Sequence, residues 1–337
     1  MNATVAAKPR RSLLWIFSAV LLILLVLAPL YAVLMDDPFV ITLLTRILIF
    51  SVAALSLNLI LGYGGMVSFG HALFLGFGVY AAAILSFHGI DNGWLQLLVT
   101  LVVCSLVGVL TGSIVLRTTG IAFIMITLAF AQMFYFLFVS LSQYGGDDGM
   151  TLAAGSRFSG VMLNDAYTLY FTALAIVCLC LYGTHRLVQS RFGVVVRASK
   201  INEARMKALG FPTFRYRLAM YVISAALCGI AGLMYANLTQ FASPSYMSWT
   251  MSGELIVMIM LGGMGTLLGP LVGAFAMILT EEWLKSITEH WMIVFGPLLV
   301  VVAMARRPGI VGMLHFLEQR RGAPRTDSPT PTSNEQP

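Results

Sequence analysis

The sequence predicts an all-α fold: a polytopic helical membrane protein of about ten crossings, some short or broken, with a weak internal repeat. Three observations carry this. Of 337 residues, 59% are hydrophobic and only 10% charged, where a soluble domain holds about 25% charged residues. The mean hydropathy is +0.89. The apolar residues lie in unbroken runs instead of alternating, which excludes a transmembrane β-barrel.

Taken in order, the N-terminal tail over 1–12 carries Lys8, Arg10 and Arg11 and is followed by an apolar run over 13–34. The run exceeds the roughly 7–15 residues of a secretory h-region and lacks a small-x-small cleavage site, so it reads as a retained first span. Further runs fall at 39–61, 69–88, 94–116, 119–141, 166–187, 218–241, 254–284 and 290–305. The stretch 254–284 is long for one span and holds Gly262, Gly263, Gly265, Gly269, Pro270 and Gly273. Such a cluster breaks a helix, so two short passes or a re-entrant pair are expected there. The whole membrane-spanning domain then covers 13–305.

The net charge of +6 matters for where it lies. With a cytoplasmic N-terminus and 254–284 crossing twice, every Lys and Arg except Arg46, Arg157 and Lys285 falls on the cytoplasmic side, as the positive-inside rule asks. Asp36, Asp37, Asp91, Asp147, Asp148 and Asp165 fall outside, with Glu281, Glu282 and Glu289 near another outer turn. A single pass would put Arg306 and Arg307 outside. Both termini are therefore expected in the cytoplasm. The Gly/Asp-rich loop 142–165 is expected to be external and the basic loop 186–217 internal. The tail 306–337, rich in Ser, Thr and Pro towards its end, reads as mostly disordered.

Several function classes drop out. No G-x-x-x-x-G-K-[ST] occurs, so the chain has no phosphate loop for ATP and no cofactor of its own is expected. No HExxH, nucleophile elbow or clustered metal set is present, leaving no catalytic or metal residues to nominate. No basic–aromatic stretch suggests nucleic acid. Cys104, Cys178, Cys180 and Cys228 sit in apolar segments without CxxC spacing and read as packing. Ionisable groups within the spans are few: Arg46, His71 and Glu254. An ion-coupled carrier would keep more of them at mid-membrane. Arg46 and Glu254 lie near outer span ends, where snorkelling to the interface accounts for them.

Two glycine-rich breaks remain, 62–71 and 262–270, each following an apolar stretch that ends in Leu-Gly. Their matching form suggests the internal repeat. Glycines at such spacing allow tight helix packing; broken helices also expose backbone dipoles to a small polar solute. On the second reading Gly64, Gly65, Ser68, His71, Gly262, Gly263 and Gly265 are candidate pathway residues. In the internal loop, Ile201, Ala204, Met206, Ala208 and Leu209 can form one apolar side of a short helix ended by Gly210 and Pro212. Such a segment lies against anionic membrane lipid or docks in a groove of a cytoplasmic partner.

The stretches 58–83, 193–210 with 223–232, 254–273 and 308–312 resemble, in the same order, the branched-chain amino acid ABC-importer permeases of the LivM type. The resemblance covers roughly 30–315. It implies a membrane-spanning permease subunit in the bacterial inner membrane, importing leucine, isoleucine or valine, with urea and short-amide permeases as close relatives. It implies as partners a second, homologous permease, two cytoplasmic ATP-binding subunits that bind the ATP, and an external or periplasmic solute-binding protein. In that family the internal loop carries the helix that couples to the ATPase. Glu203, Ala204 and Gly210 match its Glu-Ala…Gly pattern, although Arg205 replaces the second alanine and the glycine falls one place late.

Overall fold

The computed structural model describes residues 25–27, 29, 38–158 and 161–288, together with the individual residues 290, 293, 296, 297, 300, 309 and 311. Apart from those few residues, the expected spans over 13–34 and 290–305 and the tails 1–12 and 306–337 lie outside the described part.

Within it the chain folds as α1 (Pro38–Asn58), which runs on into a π-helical turn (Leu59–Tyr63), then α2 (Ala72–Phe87), α3 (Gly93–Val115) and α4 (Ile121–Ser140). Two-residue strands β1 (Met150–Thr151), β2 (Arg157–Phe158) and β3 (Val161–Met162) precede α5 (Ala166–Gln189), α6 (Arg191–Ile201), α7 (Glu203–Ala208) and α8 (Thr213–Thr239). Strand β4 (Phe241–Ala242), α9 (Trp249–Gly262) and α10 (Gly269–Ile287) follow. The helix α1 with its π turn, α3, α4, α5 and α8 are each long and apolar enough to cross a membrane, and α2 and α9 are shorter apolar helices. The chain is a multi-pass helical membrane protein.

Burial sorts these helices into a centre and a rim. Of its most apolar stretch, α1 buries 72% and α8 61%, whereas α4 buries 22% and α5 33%. The rim helices turn Leu106, Phe136 and Leu179 outward, which hydrocarbon tolerates and water would not. At the centre, glycine permits contact between backbones. A Cβ added at Gly78 of α2 would stand 2.1 Å from the carbonyl oxygen of Gly229 in α8, the small-residue packing that membrane helices use. The Cys104 and Cys228 thiols are buried in the same region, directed at the carbonyls of Phe74 and His71. All four cysteines are free, and Cys178 is exposed.

The segment 142–165 is fastened to the helix ends. β1 pairs with β4 and β2 with β3, both antiparallel. Ser156 donates from its backbone to Asn237 Oδ1 at 2.8 Å and from its hydroxyl to Gln96 Oε1. Asp165 caps α5 by accepting from the Thr168 amide at 3.1 Å. At the opposite end of the bundle, the basic loop is largely helical: α5 runs on to Gln189 and α8 begins at Thr213, placing Arg215 and Arg217 in a span's first two turns. The stretch 254–284 divides as the glycines required. α9 stops at Gly262, residues 263–268 are non-helical with Gly263 and Gly265 at φ +125° and +74°, and Pro270 opens α10.

Candidate functional site

The two glycine breaks, far apart in sequence, meet in space. α1 loses its α-helical register after Asn58, and Gly64 donates to Leu59 O at 3.1 Å across the π turn. Gly65 then takes φ +70°, and the chain stays irregular up to Ala72. The Asn58 side chain, fully buried, supplies what the second break lacks. Its Nδ2 donates to Thr266 O at 2.9 Å and its Oδ1 accepts from the Gly265 amide at 3.0 Å. One carboxamide thus satisfies a donor and an acceptor freed where α9 ends. Gly62 lies against the same point: a Cβ there would fall 2.6 Å from the Gly265 nitrogen. Thr266 finishes the corner by donating to Gly263 O at 2.8 Å and accepting from the Gly269 amide at 3.1 Å. Gly309 also packs on Gly263.

The sequence-nominated residues separate into three groups. Gly64 and Gly65 line a cavity of about 430 Å³ between the first break, the α3–α4 turn at Gly120, and the loop residues Ser199, Lys200, Glu203 and Arg217. Gly262, Gly263 and Gly265 form the packed junction and do not line that cavity. Ser68 and His71 are fully buried. His71 Nε2 lies 2.9 Å from Ser56 Oγ, and that hydroxyl donates its single proton to Ala53 O at 2.6 Å. The other ring nitrogen, Nδ1, has no hydrogen-bond partner among the described residues. Ser68 Oγ accepts from the Gly70 amide, and Ser252 Oγ from the Ala72 amide at 3.0 Å. Both residues thus hold the first break in shape between α1, α8 and α9.

The internal loop is built by caps. Ser190 Oγ accepts from the Gly193 amide at the start of α6, and Asn202 Oδ1 from the Arg205 amide at the start of α7. Past α7, Gly210 takes φ +84° and donates to Lys207 O at 2.9 Å, closing the helix with the left-handed residue expected there. Glu203 faces inward to its own chain. It accepts from Arg217 Nη1 at 2.8 Å, from Lys207 Nζ at 2.9 Å and from the Thr213 hydroxyl at 3.3 Å. The Lys207 hydrogen bond foremost, together with the Arg217 charge, holds its carboxyl below the usual carboxylate range. The apolar side expected on this helix is divided: Met206 turns inward, whereas Ile201, Ala204, Ala208 and Leu209 are exposed, Ile201 to 86%. The loop meets the breaks through Lys200, whose Nζ donates to Gly62 O at 2.7 Å.

One polar group and one set of ion pairs escaped the sequence reading. Asn58 was detectable only as an amide inside an apolar run just before the glycines, a costly placement that signals a partner. Arg46 does not snorkel alone: it pairs with Glu281 at 3.4 Å and Glu282 at 3.2 Å, and Lys285 joins Glu281 at 2.6 Å. Among the described residues, no three His, Cys, Asp or Glu side chains gather as a metal would need.

The model of the family described as branched-chain amino acid transport system / permease component matches residues 39–303. The chain is similar to the high-affinity branched-chain amino acid transport system permease protein LivM of Salmonella typhimurium, 27% identical over 80% of this chain and 69% of that protein. The LivM protein of Escherichia coli is 26% identical over the same shares. The permease protein LivH of Escherichia coli is 24% identical over 78% of this chain and 91% of its own length. No solved structure matches. Because one family model spans every described helix from α1 to α10, with both breaks and the basic loop, the chain belongs to the branched-chain amino acid transport permease family.

Proposed function

We propose that this chain is the membrane-spanning permease subunit of an ATP-binding-cassette importer that carries leucine, isoleucine and valine. The observation that carries the reading is the family match, which runs through α6 and α7 as well as the spans. Glu203, Ala204 and Gly210 belong to the element that couples to an ATPase. The exposed Ile201, Leu209 and Phe211 at the loop end are the apolar surface for a groove on a cytoplasmic ATP-binding subunit. ATP is bound there and not by this chain, which has no phosphate loop. A second, homologous permease, a second ATP-binding subunit and an external solute-binding protein complete the assembly. The loop end faces the cytoplasm, where its Lys and Arg belong. The glycine breaks flank the pathway, and Gly64 and Gly65 open on its cytoplasmic cavity.

Reconstitution tests this. Proteoliposomes holding both permeases and the ATPases, given ATP inside and leucine-loaded binding protein outside, are expected to accumulate leucine. Vesicles with this chain alone are expected to hydrolyse no ATP and to take up nothing under a proton or sodium gradient. Gradient-driven uptake by the chain alone sinks the importer reading.

A further inference from the structure

We propose that Lys200 is the transmission contact of this permease: a positioning residue through which movement of the α6–α7 loop reaches both broken helices. The proposal rests on the importer reading above and says which bond carries the coupling.

Among the described residues, one hydrogen bond joins α6 and α7 to the first break, the 2.7 Å bond from Lys200 Nζ to Gly62 O. A donor with full charge makes this bond stronger than one between neutral groups. The lysine stem lies along the same surface, since a Cβ at Gly65 would stand 2.8 Å from Lys200 Cγ. The accepting carbonyl sits in the π turn, a local departure from α-helical register that proteins place at functional sites. From there contact is continuous. Gly62 packs on the Gly265 backbone, and Asn58, one turn before it, clamps Gly265 and Thr266. Close-packed backbone cannot take up a displacement by compressing, so a shift imposed at Gly62 moves the corner between α9 and α10 as well.

The other side of the contact is open. The cavity of about 430 Å³ lies between Lys200 and the Gly120 turn, leaving the loop room to travel. The ion pair between Glu203 and Arg217 ties α7 to the start of α8, so the two ends of the loop move together. Transmission through that ion pair alone would arrive on α8, which lacks a glycine break. A contact on Gly62 delivers it to the two places where the spans are already discontinuous.

The competing reading makes Lys200 a static cap on the Gly62 carbonyl. The two differ in one number, the solute moved per ATP hydrolysed. In the full reconstituted importer, Lys200→Met is expected to keep its ATPases through purification and to hydrolyse ATP at near the wild-type rate. It should lower leucine uptake per ATP by about tenfold, mid-range for a loss of coupling between sites. Lys200→Arg, which keeps a charged donor of similar reach, should restore most of the ratio. An unchanged ratio in Lys200→Met overturns the proposal. Loss of the ATPases from that variant also overturns it, because it would make Lys200 a docking residue. If Lys200→Met does not reach the membrane, Lys200→Gln, with a shorter neutral donor, takes its place. A lowered ratio there supports the proposal, and an unchanged ratio or lost ATPases overturns it. A wild-type complex that moves no leucine counts against the importer reading, whatever any Lys200 variant does.

Discussion

Asn58 and Glu203 show how single side chains set the state of this permease. Asn58→Leu keeps much of the volume but leaves the Gly265 amide and the Thr266 carbonyl without their partner at a buried corner. An unsatisfied buried polar group costs about 1–3 kcal/mol, so this variant should unfold with about 2–4 kcal/mol less stability, read as a lower Tm in detergent. An unchanged Tm would mean that the corner holds itself. Glu203 acts on a smaller scale because its ion pairs are partly exposed, a setting in which each is worth about 1 kcal/mol or less. Its carboxyl pKa is depressed in the folded chain, so its stabilisation is present above the ordinary carboxylate value of about 4.3 and is lost as pH falls through the lower folded value. Hydrogen exchange of amides 202–211, corrected for intrinsic rates, should therefore show protection that fades below about pH 4. In Glu203→Gln that protection should already be reduced at neutral pH and show no such acid step; an acid step that persists in the variant assigns it to another group.

At the scale of elements, the corner between α9 and α10 depends on the absence of side chains. A Cβ at Gly262 would stand 1.7 Å from Gly269 O, backbone that cannot rotate away, whereas at Gly253 in the same helix nothing lies within 4 Å. Gly262→Ala should thus force the two helices apart and cost about 2 kcal/mol or more, in the range of overpacked cores. Gly253→Ala should be neutral or stabilising by up to about 1 kcal/mol, since alanine favours the helix. Equal melting temperatures for the two would mean that the corner is loosely packed. This break was legible in the sequence because six Gly and Pro residues interrupt an apolar run, and chain chemistry alone forbids a straight helix there. The short helix α7 was legible for a similar reason, with Gly210 and Pro212 marking its end. The contact between the breaks was not, because Asn58 finds its partners more than 200 residues away and no local pattern records such a distance. The inward and outward faces of the spans were equally hidden. A helix that is apolar all round gives no periodicity to read, so Leu57 at the centre and Leu106 at the rim look alike until they are packed.

The whole molecule is polarised in charge, and this sets its expected orientation. Arg186, Arg191, Arg197, Lys200, Arg205, Lys207, Arg215 and Arg217 gather at the end built from α6, α7 and the start of α8. Asp91, Asp147, Asp148 and Asp165 gather at the opposite end, near the segment 142–165, where Arg157 is the exception. Translocating a basic segment is opposed during insertion, so the α6–α7 end should remain in the cytoplasm. Two exposed positions report on this, Ile201 and Asp147, once the native cysteines are replaced; Cys178 matters most among them because it alone is exposed. With a charged maleimide that does not cross the membrane, Asp147→Cys should be labelled in intact cells from which any outer membrane has been removed. Ile201→Cys should be labelled only after the inner membrane is opened. The inverse pattern would place the exposed Leu209 and Phe211 outside the cell, where no ATP-binding subunit waits, and the coupling role of Glu203 and Lys200 would fall with it.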